Sequence, residues 1–291
     1  MRDVIVIGAG PAGISASLYA KRANLDTLVF DAGKSQVADA HKIDNYYGFP
    51  NGISGGDLYS NGIEQAKNLG VEILNSEVTG VKVLENGYAI VAGEKDYETH
   101  AIIIATGKKR LRPAIAGLQD FEGKGVSYCA VCDGFFYRKK KVVVIGAGNY
   151  ALSEANELSH IAQSVQILTN GEPTELTSTE KISLDERKIK KICGSAKVES
   201  VEFEDGTKIE TNGVFVALGS AGGADFAKKL GIALDGDSIL TDKDMATNIS
   251  GVFSCGNATG GLLQICKAVY EGAVAGISAT NFVRKQKKRE I

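Results

Sequence analysis

The 291-residue sequence predicts an α/β protein with parallel sheets, built on one plan used twice. Three observations carry this. An apolar strand runs straight into a glycine-rich turn and a helical pattern near the start of the chain. The same layout returns 138 residues later, from Gly8 to Gly146. Each copy also has a further apolar strand ending in a small-residue turn, residues 101–107 and 213–219.

The first copy opens with Val4-Ile5-Val6-Ile7, followed at once by Gly8-Ala9-Gly10-Pro11-Ala12-Gly13. This is G-x-G-x-x-G between a strand and a helix, with Ile14, Leu18 and Ala20 on the helical pattern. The first glycine allows the tight turn and the second lets the backbone approach a pyrophosphate. The third packs helix on strand, and the helix N-terminus favours the phosphate charge. The second strand, Thr27-Leu28-Val29-Phe30, ends in Asp31, 23 residues after Gly8. An acid at that place accepts hydrogen bonds from the ribose hydroxyls of an adenine dinucleotide. The unit is therefore Rossmann-like. Between Lys82 and Tyr97, short alternating pieces around Asn86-Gly87 and Gly93-Glu94 predict hairpins and a β-meander.

The second copy, Val142 to Ala151, keeps the strand and the glycines Gly146 and Gly148. The same offset of 23 falls on Thr169 in place of an acid. No Arg or Lys follows before Lys181, so nothing there suits a 2′-phosphate, and Glu172 and Glu175 would repel one. The fold unit is present while its ligand-reading residues are missing.

Between the copies lies Cys129-Ala130-Val131-Cys132-Asp133-Gly134. C-x-x-C permits a small disulfide ring in which one thiolate attacks a disulfide and the other thiol resolves it. Asp133 is placed to supply or relay a proton. The alternative is half of a zinc site, which needs two more ligands at close spacing. Cys193, Cys255 and Cys266 are isolated, and His41, His100 and His160 show no paired spacing, so no metal is expected.

Composition narrows the classes. Lys plus Arg is 33 against 35 Asp plus Glu, a near-balance that argues against a nucleic-acid binder. No segment approaches the roughly 18 uninterrupted apolar residues of a membrane span. An odd cysteine count in a long chain, with no signal-peptide pattern after Met1-Arg2-Asp3, makes the cytoplasm the expected compartment.

With these motifs in view, the chain resembles the low-molecular-weight thioredoxin reductase family over nearly its whole length. The carrying segments are Gly8 to Gly13, Asp44 to Pro50, Ala105-Thr106-Gly107, Cys129 to Gly134, Gly146 to Ala151 and Gly251 to Asn257. The resemblance implies a fold of the flavin disulfide reductase type. This is two Rossmann-like, three-layer ββα domains, the second inserted in the first. Residues 1–112 and 238–291 would form the FAD domain, and 113–237 the inserted pyridine-nucleotide-type domain carrying the disulfide. It implies FAD as cofactor, held by Gly8, Gly10, Pro11, Ala12, Gly13 and Asp31. Gln36, Asn45, Ala105, Thr106, Gly107, Gly256, Asn257, Gln264 and Ile265 would line the rest. Cys129, Cys132 and Asp133 would be the catalytic residues, thioredoxin the substrate and a homodimer the assembly. A rotation of the inserted domain would alternately expose the cysteines to flavin and to thioredoxin.

The sequence departs from the family pattern in four places. Asn257 stands where the family has Asp, and Lys34-Ser35 replaces a glycine pair. Thr169-Asn170-Gly171-Glu172-Pro173 replaces an H-R-R-x-x-x-R stretch, and Ser220-Ala221-Gly222-Gly223 replaces a polar-proline loop. A subgroup of the family with these losses takes electrons from reduced ferredoxin, and this sequence is expected to belong there. Basic candidates for docking an acidic ferredoxin are Lys108 to Arg110 with Arg112, Arg138 to Lys141, Lys188 to Lys191, and Arg284 to Arg289. The competing readings are an NADPH- or NADH-dependent thioredoxin reductase, a flavin dithiol oxidase, and a flavin-bound redox sensor.

Overall fold

A computed structural model describes the chain except residues 34, 108–112, 220–221 and 289–291, and the side chains of 131 and 132. The chain forms two compact units, 1–109 with 222–291, and 110–221.

The first unit starts with β1 (Arg2–Ile7), α1 (Pro11–Arg22), β2 (Thr27–Asp31), α2 (Gly55–Asn68) and β3 (Glu72–Asn75). Then come β4 (Val78–Leu84), β5 (Gly87–Ala92) and β6 (Lys95–Ile104). Strands β3, β2, β1 and β6 are parallel neighbours. The expected meander is present: Leu84 faces Gly87 and Ala92 faces Lys95 across two-residue turns. Strands β1 and β2 are nearly continuous runs of buried Val, Ile, Leu and Phe, as a sheet covered on both faces requires.

The second unit contains β7 (Val126–Ser127), α3 (Ala130–Asp133), β8 (Lys141–Ile145), α4 (Asn149–Ser159), β9 (Ser164–Leu168) and β10 (Ile182–Asp185). It continues with β11 (Ile189–Gly194), β12 (Val198–Phe203), β13 (Lys208–Glu210) and β14 (Gly213–Val216). Its parallel sheet has the order β10-β9-β8-β14-β7, and β11-β12-β13 form a separate antiparallel sheet. The sequence reading did not anticipate that second sheet.

The chain returns to the first unit with α5 (Gly223–Leu230), the hairpin β15 (Leu234–Asp235) and β16 (Ser238–Ile239), β17 (Val252–Ser254) and α6 (Ile265–Lys287). The expected return at residue 238 therefore lies later than the structural division at 222. The reason is the apolar face of α5. Phe226, Ala227 and Leu230 are buried, and Lys229 Nζ reaches the Thr79 carbonyl on β4. Strand β17 adds to β6 in parallel, Val252 opposite Ile102. Helix α6 lies on α1. A Cβ on Gly272 would meet the Ala12 carbonyl oxygen at 2.2 Å, and one on Gly276 the Ala16 carbonyl oxygen at 2.4 Å. The core beneath joins Val4, Val6, Val29 and Ile103 to Ala275, Ala279 and Val283.

Candidate functional site

In the first unit, each glycine of the G-x-G-x-x-G turn has a distinct environment. Gly8 has φ +110°, and a Cβ there would meet the Ala105 oxygen at 2.5 Å. A Cβ on Gly13 would meet the Gly8 oxygen at 1.8 Å. Gly10 instead is uncrowded: an added Cβ would make only an ordinary contact, with Ser35 Oγ at 3.7 Å. Helix α1 begins with Pro11 at its first position, and Gly10 caps it without a side chain. Its N-terminal amides and dipole thus address the uncrowded turn at Gly10.

Against this turn the structure places Ala105, Thr106 and Gly256. Ala105 N donates to the Ile7 carbonyl at 2.9 Å, closing β6 beside β1, and Gly107 has φ +73°. Thr106 Oγ1 is buried and has no hydrogen-bond partner among the described residues. Gly256, at φ +74°, brings its Cα to Ala12, where an added Cβ would stand 2.7 Å from the Ala12 Cβ. Asn257 follows in the short 3-10 helix Gly256–Thr259. Asn45 Nδ2 donates to Gln264 Oε1 at 3.2 Å, and Gln264 and Ile265 open helix α6. Gln36 begins a separate exposed 3-10 turn, Gln36–Asp39.

Asp31 ends β2 as expected. Its Oδ1 accepts from Gly33 N at 2.8 Å, and its Oδ2 accepts the Tyr59 hydroxyl. Burial, and then the bond to Asp31, pushes the Tyr59 phenol above its ordinary range. Sequence reading missed Tyr59, because nothing local marks a tyrosine 28 residues away on α2 as the partner. It also missed a pair on α6. Glu271 Oε2 accepts from Gly256 N at 2.8 Å, Thr259 Oγ1 at 2.9 Å and Lys267 Nζ at 2.9 Å. Lys267 Nζ also donates to the Gly256 carbonyl at 3.0 Å. An i,i+4 pair of opposite charge on an otherwise apolar helix face was the available signal. Beside it, burial pushes the Cys255 thiol far up, with Glu271 adding to the effect. That sulfur is a packed core atom.

The second unit repeats the mould. Gly8 N donates to the Phe30 carbonyl in the first unit, and Gly146 N to the Leu168 carbonyl in the second. A Cβ on Gly146 would meet the Ala217 oxygen at 2.2 Å, while Gly148 is open and caps α4 without a side chain. Past β9 the resemblance ends. Thr169 is fully buried, with Oγ1 unpartnered among the described residues. Asn170, at φ +57°, accepts Ile189 N on its side chain at 2.7 Å. The chain then crosses back: Thr174 Oγ1 donates to the Ala147 carbonyl at 2.8 Å and accepts Leu176 N at 3.0 Å. A strap of the chain's own backbone is thus tied to the middle of the glycine turn.

Cys129 is disulfide-bonded and only 3% exposed. Cys132 lies on α3, with its side chain outside the described residues. Ser127 Oγ accepts Cys129 N at 3.1 Å and donates to Asp133 Oδ2 at 2.6 Å, so Asp133 is held beside the turn. A second carboxylate, missed in the sequence, acts on the same turn: Glu154 Oε2 on α4 accepts Ala130 N at 2.7 Å. The aromatic pair Phe135 and Phe136 is exposed just beyond. Among the described residues, no three His, Cys, Asp or Glu form a group able to hold a metal, and no helix is long and apolar enough to cross a membrane.

The basic runs differ in character. Residues 108–112 and 289 lie outside the described residues. Lys190, Lys191 and Lys208 converge on Glu202 at 2.9, 3.6 and 3.3 Å, which offsets much of that run's charge.

The model for the pyridine nucleotide-disulphide oxidoreductase family matches residues 2–272. The thioredoxin reductase of Listeria monocytogenes is 34% identical over 304 residues, covering 98% of this chain and 95% of that protein. The crystal structure of the atypical thioredoxin reductase TRi from Desulfovibrio vulgaris Hildenborough superposes with a TM-score of 0.92 at 40% identity, covering 98% and 99% of the two chains. A ferredoxin-flavin thioredoxin reductase from Clostridium acetobutylicum superposes with a TM-score of 0.73 at 31% identity, covering 99% and 98%. The chain belongs to the pyridine nucleotide-disulphide oxidoreductases, within the thioredoxin reductase family of FAD flavoproteins.

Proposed function

We propose that this protein reduces thioredoxin through FAD and a Cys129–Cys132 disulfide, with electrons from reduced ferredoxin. The observation that carries the choice of donor is the second unit's glycine turn. It has Thr169 where a ribose-binding acid belongs, no basic residue before Lys181, and the Thr174 hydroxyl bonded across it to Ala147. Losing two or three charge-assisted phosphate contacts, each worth about 1.5–3 kcal/mol, weakens a phosphorylated dinucleotide by about two to seven orders of magnitude. The likeness to a ferredoxin-flavin thioredoxin reductase agrees with this reading.

The first unit fits FAD. The uncrowded turn at Gly10, the uncapped start of α1 and the buried unpartnered Thr106 hydroxyl are what a dinucleotide pyrophosphate and flavin chain require. Asp31, oriented by Tyr59, would take the ribose. Asn45, Gln264, Gly256 and Asn257 would line the remainder, with Asn257 making a neutral contact where the family has a charged one. When bound, FAD supplies conversion between single electrons and electron pairs. Asp133, held by Ser127, would hold or deliver the proton that accompanies disulfide opening.

Anaerobic titration of the flavin absorbance tests the donor. Stoichiometric bleaching by reduced ferredoxin, with thioredoxin reduction following, is expected. Fast stoichiometric bleaching by NADPH or NADH would instead establish a pyridine-nucleotide enzyme.

A further inference from the structure

Glu154 is a buried carboxylate that the reactions above do not use. It is 1% exposed, on the second turn of α4, and its Oε2 lies 2.7 Å from the amide of Ala130. Ala130 directly follows Cys129, itself 3% exposed. Gly134, just past the C-x-x-C turn, packs its Cα against Leu158 of the same helix, where an added Cβ would lie 3.4 Å from Cδ2. Helix α4 thus forms one wall of the disulfide turn and presents an acid to it.

We infer that Glu154 is a positioning residue for the disulfide, fixing the first turn of α3 and keeping negative charge off the Cys129 sulfur when the disulfide opens. The inference rests on the reading of Cys129–Cys132 as the redox disulfide. Opening it takes two electrons and two protons to give two thiols, and loss of one proton leaves a single thiolate. A carboxylate bonded to the amide that follows Cys129 disfavours a thiolate on that residue by like-charge repulsion in a poorly solvated site.

The other titratable groups around α4 are few. Asp133 on α3 bonds Ser127, and Tyr137 follows it. On β8, Lys141 is exposed and pairs with Glu210 at 3.9 Å. On β10, Asp185 is held by Arg187 at 2.5 Å, and β9 contributes none. On α4 itself Tyr150 is buried and Glu157 exposed, and His160, just past its end, is exposed.

The test compares wild type with Glu154→Gln, which still accepts the Ala130 amide but carries no charge. Each FAD-loaded protein is equilibrated under argon with reduced and oxidised dithiothreitol between about pH 5.5 and 9. In this exchange the dithiothreitol dithiol becomes its cyclic disulfide as the protein disulfide becomes a dithiol. Acid quenching, alkylation and mass mapping count the open Cys129–Cys132 pairs. The reduced fraction of Glu154→Gln is expected to match wild type at the acid end, where both thiols are protonated. Its equilibrium constant should then exceed that of wild type by about tenfold at the alkaline end. A ratio that stays constant with pH means a purely structural role and overturns the inference alone. A pair that no dithiothreitol ratio opens defeats the redox-disulfide reading and the inference with it. Should Glu154→Gln fail to fold, iodoacetamide labelling of the reduced wild type decides. The Cys129 labelling profile is expected to turn above the ordinary cysteine range near 8.5, and a turn at or below it overturns the inference.

Discussion

Replacing Lys267 with Met removes a charge from beneath the Gly256–Thr259 turn while keeping side-chain length. The Lys267 and Glu271 side chains are 16% and 11% exposed, so the pair is mostly withdrawn from water. Breaking a buried pair from one side costs about 3–5 kcal/mol, because the remaining charge keeps its desolvation penalty. Here Glu271 retains two donors, Gly256 N and Thr259 Oγ1, which lowers the figure to about 2–3 kcal/mol. At about 2–4 °C per kcal/mol for a unit of this size, the melting midpoint should fall by about 4–12 °C. Calorimetry on the FAD-loaded protein reads this directly. The companion double variant, Lys267→Met with Glu271→Gln, should recover at least half of the loss, since no buried charge is then left unpaired. A fall below about 2 °C, or a double variant whose losses simply add, refutes the reasoning and assigns the pair to the surface class of weak ion pairs.

Gly10→Ala separates folding from cofactor binding. Because a Cβ at Gly10 would make only an ordinary contact, with Ser35 Oγ at 3.7 Å, the apoprotein midpoint should move by less than about 2 °C, whereas FAD affinity measured by flavin fluorescence should drop at least about tenfold. Gly276→Ala does the reverse. Its Cβ would stand 2.4 Å from the Ala16 oxygen, so urea denaturation should show a loss of about 1–3 kcal/mol. Glu202, bonded first by Lys190 and then by Lys208, is drawn down to about 2 from its ordinary 4.5. Its folded-state value lies below the unfolded one, so its contribution is full above about pH 4.5 and disappears as pH falls toward 2. Glu202→Gln should therefore flatten that part of the acid-unfolding curve, and an unchanged curve would show that the lysines do not stabilise the carboxylate.

Both glycine turns, their strands, the hairpins at Asn86-Gly87 and Gly93-Glu94, and Asp31 at the end of β2 were legible. Each is a local pattern whose meaning is set by backbone sterics or by a period of two. What escaped were partnerships decided by packing. Tyr59 finds Asp31, Glu154 finds Ala130, and Lys267 reaches back to Gly256, each across a tertiary contact that no local rule specifies. The assignment of α5 escaped for the same reason: its amphipathic pattern says that one face is covered, and only the fold says that β4 and β16 cover it. The strap through Thr174 was visible merely as an absence of charge, and its hydroxyl bond to Ala147 is a property of the folded loop.

The late addition of β17 and α6 to the first unit has a bearing on how the chain is made. A ribosome releases residues 1–109 before residues 222–291, yet the Ile102–Ile104 end of β6, past its pairing with β5, then lacks the β17 partner, and the α1 surface that receives Gly272 and Gly276 lies naked. The contiguous stretch 110–221 suffers no such delay, so the segment synthesised second is the first able to finish folding. The first unit stays exposed to chaperones and proteases until α6 emerges. A nascent chain arrested at residue 221 should show protease resistance only in its middle portion, and resistance of residues 1–109 at that length would contradict this order of assembly.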